Sequence, residues 1–172
     1  EQGLQALMKS TDAGQLQTSD IRSDQYGIRT KVFVQGKPIK FEIVLEGRIA
    51  LAKPGKKDSI LGVSTLTKLD MAASKLLANS DRGLDMGMHC RDVIDLAMLN
   101  LSKTEFFEAA TKSKEAYGEA ILKDLSKVID MLGEANGLLE RCMTAMDISV
   151  PRALLWQNIS KVKSFVADGM PA

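Results

Sequence analysis

The run Ile28-Arg29-Thr30-Lys31-Val32-Phe33-Val34-Gln35-Gly36-Lys37-Pro38-Ile39-Lys40-Phe41-Glu42-Ile43-Val44-Leu45 decides the architecture. Ile28, Thr30, Val32 and Val34 alternate with Arg29, Lys31 and Phe33. After Gln35-Gly36-Lys37-Pro38, which reads as a turn, Ile39, Phe41, Ile43 and Leu45 alternate with Lys40, Glu42 and Val44. Period two with β-branched enrichment predicts a hairpin-like pair of strands. A third short strand is expected near Arg48–Ala52, ahead of the Lys53–Lys57 loop. Upstream, residues 3–9 read as a short helix, followed by polar loop chemistry from Thr11 to Gln17 in which Asp12-Ala13-Gly14 is the stop. From Ser64 onward the period turns helical. Segments 65–80, 91–101, 104–116, 118–132, 135–147 and 150–167 carry apolar residues three and four apart. Ser102 or Lys103, Gly118, Gly133 and Pro151 punctuate them. The fold class is therefore α+β: a small antiparallel or mixed sheet region over residues 1–62, then a helical C-terminal bundle over 63–172.

Composition narrows the function classes. A net charge of +1 gives no global field toward nucleic acid or anionic lipid, so any such binding needs a local patch. Cys90 and Cys142 stand far apart without metal-ligand neighbours, which argues against a disulfide framework and for a reducing, cytoplasmic setting. No apolar run reaches the ~18 residues of a membrane span, and no membrane partner is expected. The chain opens on Glu1-Gln2-Gly3 without an initiator Met, so an upstream segment is expected to be missing.

Three places hold residues with chemistry to offer. Glu42 lies in the most strand-like stretch. It shares a face with Lys40 and Val44, opposite Ile39, Phe41 and Ile43. A carboxylate there is either an ordinary solvated side chain or a metal ligand on a rigid support. In residues 66–82, Leu66, Leu69, Ala73, Leu76 and Leu77 mark the buried stripe. Lys68, Lys75 and Arg82 recur every seven residues on one helix face. Converging cations suit polyphosphate, whose charge sits on its oxygens, although a basic face is also an ordinary solvated surface. In Arg91-Asp92-Val93-Ile94-Asp95-Leu96 the two aspartates project from one side of a helix, and Arg91 can pair with Asp95. Asp92 also suits a helix start for its interaction with the macrodipole. His89, the only histidine, lacks the partners that general-base work requires. The nine methionines and Trp156 read as core filler and inter-helix anchor.

Taken in order, three of these stretches resemble the later motifs of the AbiEii/AbiGii toxin family of polymerase-beta-like nucleotidyltransferases. They are Lys40-Phe41-Glu42-Ile43-Val44, Lys75-Leu76-Leu77-Ala78-Asn79-Ser80-Asp81-Arg82 and Arg91-Asp92-Val93-Ile94-Asp95-Leu96. The family pattern is a strand ending in a carboxylate, a helix of the form K-L-x-A-x-x-x-R, and an R-D-x-x-D-L helix start. The resemblance covers residues 20–101. It implies a nucleotidyltransferase-type sheet followed by helices. Glu42 would be the third carboxylate, helping to hold the catalytic Mg²⁺, and Asp92 and Asp95 would serve the active centre. Lys75, Arg82 and Arg91 would bind the nucleotide. The implied reaction moves a nucleoside monophosphate from an NTP to a hydroxyl acceptor, which for some family members is tRNA, in toxin–antitoxin or phage-defence systems with a cognate antitoxin.

One departure bears on all of this. The family's first motif, a Gly-rich helix start followed by a D-x-D pair, carries most of the two-metal chemistry. Thr18-Ser19-Asp20-Ile21-Arg22 mimics part of that strand, but Arg22 stands at the second Asp and Asp20 is read as a decoy. Loss of an upstream segment is the expected reason, and a sheet missing a strand would self-associate through its open edge. The competing reading is a degenerate, non-catalytic binding or regulatory module with apolar helical stripes for partner docking. The enzyme reading requires Glu42 and Lys75 to converge on one cleft.

Overall fold

A computed structural model describes residues 17–134 and 137–169, and the expected helix at 3–9 lies outside the described residues. The chain divides into two compact units, residues 1–47 and 48–172. A small antiparallel sheet followed by six helices makes the protein α+β.

The sheet unit is built on the long strand β3 (Gly27–Val34). Along one edge of β3 run β1 (Gln17–Thr18) and β2 (Arg22–Asp24), and along the other runs β4 (Lys37–Val44), all antiparallel. Thr18 lies opposite Val32 and Arg22 opposite Arg29, so three residues of the first edge face two of β3. This is a β-bulge, with β1 and β2 as one interrupted strand. Ser19 spans the break: its amide donates to the Lys31 carbonyl at 2.9 Å, and its hydroxyl accepts from the Lys31 amide at 2.9 Å. The hairpin at Asp24–Gly27 is fixed by the Asp24 carboxylate, which accepts from the Tyr26 and Gly27 amides at 2.8 and 3.1 Å.

The β3–β4 connection is shorter than the four-residue turn expected. Gln35 (φ 51°) and Gly36 (φ 75°) form a two-residue loop, and Lys37 and Pro38 already pair with Val34 and Phe33. Left-handed backbone at both loop positions matches the strand twist, and glycine takes such a φ without cost. Pro38 fits because its strand is an edge, where a missing N–H breaks no ladder. The register places Ile28 with Ile43 and Val32 with Ile39 on one face, and Arg29 with Glu42 and Lys31 with Lys40 on the other. The alternation expected of β4 therefore holds.

The expected strand at Arg48–Ala52 does not form. Ile49 is buried, and the Ala52 amide donates to the Asp70 carboxylate at 2.8 Å instead of to a sheet. The remaining strands are a short hairpin, β5 (Ser59–Ile60) with β6 (Val63–Ser64).

Six helices follow: α1 (Lys68–Arg82), α2 (Arg91–Met98), α3 (Lys103–Tyr117), α4 (Ala120–Glu134), α5 (Leu138–Ala145) and α6 (Arg152–Gly169). Helix α1 starts at Thr67, whose hydroxyl accepts from the Asp70 amide at 3.1 Å. Helix α3 opens with a complete capping box, in which the Ser102 hydroxyl accepts from the Glu105 amide and the Glu105 carboxylate from the Ser102 amide. Pro151 stands just before α6, its carbonyl accepting from the Leu155 amide. Gly133 does not interrupt its helix as expected. It lies inside α4, where an added Cβ would come within 3.0 Å of the Trp156 ring of α6.

Every buried apolar side chain among the described residues belongs to the second unit. Helix α1 is its axis, packed on α2, α3 and α4. It turns Ala72, Ala73, Leu76 and Leu77 inward, each fully buried. The two alanines let α3 approach closely enough for the Ser113 hydroxyl to donate to the Ala73 carbonyl at 3.2 Å. Each buried Leu, Ile or Phe contributes about 1.5–3 kcal/mol of transfer free energy. Among the described residues no helix is long and apolar enough to cross a membrane.

Candidate functional site

The last two turns of α1 and the first two of α2 bring four of the expected residues together. Lys75 and Arg82 lie seven residues apart, about 10.5 Å along one helix face. Asp92 and Asp95 lie three apart on α2, which packs beside α1. The Arg82 guanidinium grips Asp92 with two hydrogen bonds, Nε to Oδ2 at 2.8 Å and Nη2 to Oδ1 at 3.0 Å. Lys75 Nζ donates to Asp95 Oδ2 at 2.5 Å and stands 3.6 Å from Asp92 Oδ1.

The four differ in solvation, and this separates their roles. The Asp92 side chain is 4 % exposed, whereas those of Lys75, Arg82 and Asp95 are 31, 37 and 41 % exposed. Burial by itself pushes the Asp92 carboxyl up. The Arg82 hydrogen bonds and the charges of Arg82, Lys75 and Arg91 outweigh it and hold the group below the usual carboxylate range. The hydrogen bonds that Arg82 donates to Asp92 likewise raise its guanidinium above the ordinary value. Asp92 is thus a fixed anion that orients two cations, while Lys75 and Asp95 meet at the solvent side, where a ligand can compete.

Local sequence explains the placement. Helix α1 ends at Arg82 and is followed by Gly83, whose amide donates to the Asn79 carbonyl and where a Cβ would lie 2.6 Å from both that carbonyl and the side-chain oxygen of Asn79. The chain then passes a 3₁₀ turn (Met86–Met88) and two left-handed residues, His89 (φ 54°) and Cys90 (φ 50°), before α2 begins at Arg91. Two successive non-glycine residues in that region store strain of order 1–2 kcal/mol each. This reversal sets Asp92 back against Arg82.

The other expected residues are disposed differently. Arg91 is exposed and no ion pair joins it to Asp95 among the described residues; Asp95 goes to Lys75, and Arg91 acts on Asp92 through its charge alone. Lys68 shares the seven-residue spacing but pairs with Glu105 of α3 at 3.0 Å. Glu42 belongs to the sheet unit, paired with Lys40 at 2.9 Å and Arg29 at 3.3 Å. The hydrogen bond from Lys40, then the charges of Lys40 and Arg29, hold it below the usual range. Asp20 is exposed in the bulge.

As a magnesium site this donor set does not fit. Both Asp92 oxygens are taken by Arg82, Asp95 is taken by Lys75 and Glu42 by two cations. Among the described residues no three His, Cys, Asp or Glu side chains gather as metal ligands.

Sequence reasoning passed over Asp70, the most buried carboxylate. It accepts from the Ala52 amide, from the Thr67 hydroxyl at 2.9 Å and from Lys112 of α3. Burial pushes its carboxyl up, and Lys112 with these donors brings it below the ordinary value. The Thr67-x-x-Asp70 capping spacing was the available signal. Its partners tie loop to helix, so its role is structural.

Comparison with known proteins finds no matching family model, no matching curated protein and no matching solved structure.

Proposed function

We propose that this chain is the nucleotide-facing part of a nucleotidyltransferase resembling the AbiEii/AbiGii toxins, moving a nucleoside monophosphate from an NTP to a hydroxyl acceptor such as the end of an RNA. The observation that carries the reading is the meeting of Lys75, Arg82, Asp92 and Asp95 between α1 and α2. In the reaction the acceptor oxygen bonds to the α-phosphorus as the bond to pyrophosphate breaks. Phosphate oxygens displace the Asp95 carboxylate from Lys75, and Arg82, held by Asp92, keeps its orientation as charge builds on the phosphoryl group. Mg²⁺ belongs to the proposal as the family's cofactor. Glu42, Asp92 and Asp95 are not assigned to it, since their oxygens are already taken by Arg29, Lys40, Arg82 and Lys75. A toxin or phage-defence role in the cytoplasm, with a cognate antitoxin, follows from the same resemblance.

The test incubates the protein, with any residues encoded upstream of Glu1, with labelled NTPs, Mg²⁺ and total RNA. Label transferred to RNA, and reduced about a hundredfold by Lys75→Met, is the expected result. Absence of transfer by the folded protein overturns it. The mutual neutralisation of the four charges favours a second reading, a non-catalytic module in which the cluster only staples α1 to α2. That reading predicts lost stability in the variants with no nucleotide dependence.

A further inference from the structure

The sheet sets like charges opposite one another twice. Arg22 of β2 is the cross-strand partner of Arg29, and Lys31 is the partner of Lys40. Like charges directly opposite destabilise a sheet. Both rungs lie on the same face, two residues and therefore about 7 Å apart along β3. Counter-charges offset only part of this: Asp24 and Glu42 pair with Arg29 at 2.7 and 3.3 Å, and Glu42 pairs with Lys40 at 2.9 Å. Arg22 and Lys31 form no ion pair among the described residues. Beside the bulge at 19–21 this charged face forms a depression of about 390 Å³, lined by the four cations and Asp20, with Asp24 and Glu42 held against Arg29 and Lys40.

We propose that this face of the sheet binds phosphate oxyanions, holding two phosphates of one ligand, one on each cationic rung, and that the ligand is a single-stranded phosphodiester chain. Two rungs in line along a strand track a backbone, and the groove carries no aromatic side chain to read bases, so recognition is electrostatic and independent of sequence. Free polyphosphate offers the same oxyanions and is the other source. The inference stands on the sheet register and needs nothing from the nucleotidyl-transfer reading.

The experiment measures fluorescence anisotropy of a labelled mixed-sequence single-stranded RNA with the full chain between 50 and 200 mM salt (about the range over which phosphate contacts weaken). Binding is expected to fall with salt at a log–log slope of about −1.4 for two phosphates on a single strand. Arg22→Gln/Lys31→Gln is expected to weaken it about tenfold at the lower salt and to flatten the slope by at least about 0.7. The charge-matched Lys123→Gln/Lys161→Gln control in the helical unit is expected to bind as the unaltered chain does. Conservative Lys31→Arg keeps the affinity. Tripolyphosphate displacing the RNA at equal phosphate concentration would assign the groove to free polyphosphate and keep the oxyanion chemistry. The proposal is overturned if the unaltered chain binds no RNA at the lower salt, if the control weakens binding as much as Arg22→Gln/Lys31→Gln, or if polyglutamate competes as well as RNA.

Discussion

Asp92 and Asp95 show how far apart two carboxylates of one motif can fall in energetic role. Sequence spacing placed both on one side of α2, and it gave the seven-residue interval of Lys75 and Arg82; those relations are local and survive folding. Which cation meets which anion was not legible, because it depends on the depth of Asp92 and on the reversal at His89 and Cys90. Asp92→Asn leaves Arg82 without its bidentate partner. The cost is expected at about 2–4 kcal/mol in urea unfolding, less than for a fully buried pair because Arg82 is partly solvated. Asp95→Asn breaks a more exposed pair and is expected to cost under about 1 kcal/mol. The carboxyls of Asp92 and Asp70 are both depressed in the folded chain, so the stability they supply is present above the unfolded carboxylate range and is lost as pH falls through their folded values. Asp92→Asn should therefore flatten the acid limb of the stability–pH curve. An unchanged limb would assign acid sensitivity elsewhere.

Among the elements, those with a strong local signal were legible and those that borrow a partner from afar were not. The β3–β4 pair has its alternation and a glycine where left-handed backbone is needed, and all six helices have their periodicity. The strand expected at Arg48–Ala52 was lost to Asp70, whose carboxylate takes the Ala52 amide that a ladder would have used. Gly133 reads as a break, yet its missing side chain gives Trp156 room against α4. The α3 start was legible as a cap, and it yields a measurable titration. The Ser102 amide, then Lys68 and the Ser102 hydroxyl, bring the Glu105 carboxyl down to about 2. Stabilisation from this box is thus held above the unfolded carboxylate range and released as pH falls toward about 2. Ser102→Ala is expected to cost about 1 kcal/mol in thermal or urea unfolding. In an NMR titration it should also move the Glu105 midpoint upward, and an unmoved midpoint would show that the amide of residue 102 and Lys68 suffice to depress it.

For the molecule as a whole, the change of period near Ser64 put the boundary at 62/63, whereas contacts divide the chain at Gly47/Arg48, because Ile49 and the Ala52 amide are bound to the helices. A boundary drawn from periodicity marks where the helices begin, and one drawn from packing marks where the core begins. Since the described core lies wholly in 48–172, that fragment is expected to unfold cooperatively by circular dichroism with the same midpoint as the full chain. A non-cooperative fragment would show that the sheet unit supplies stability after all.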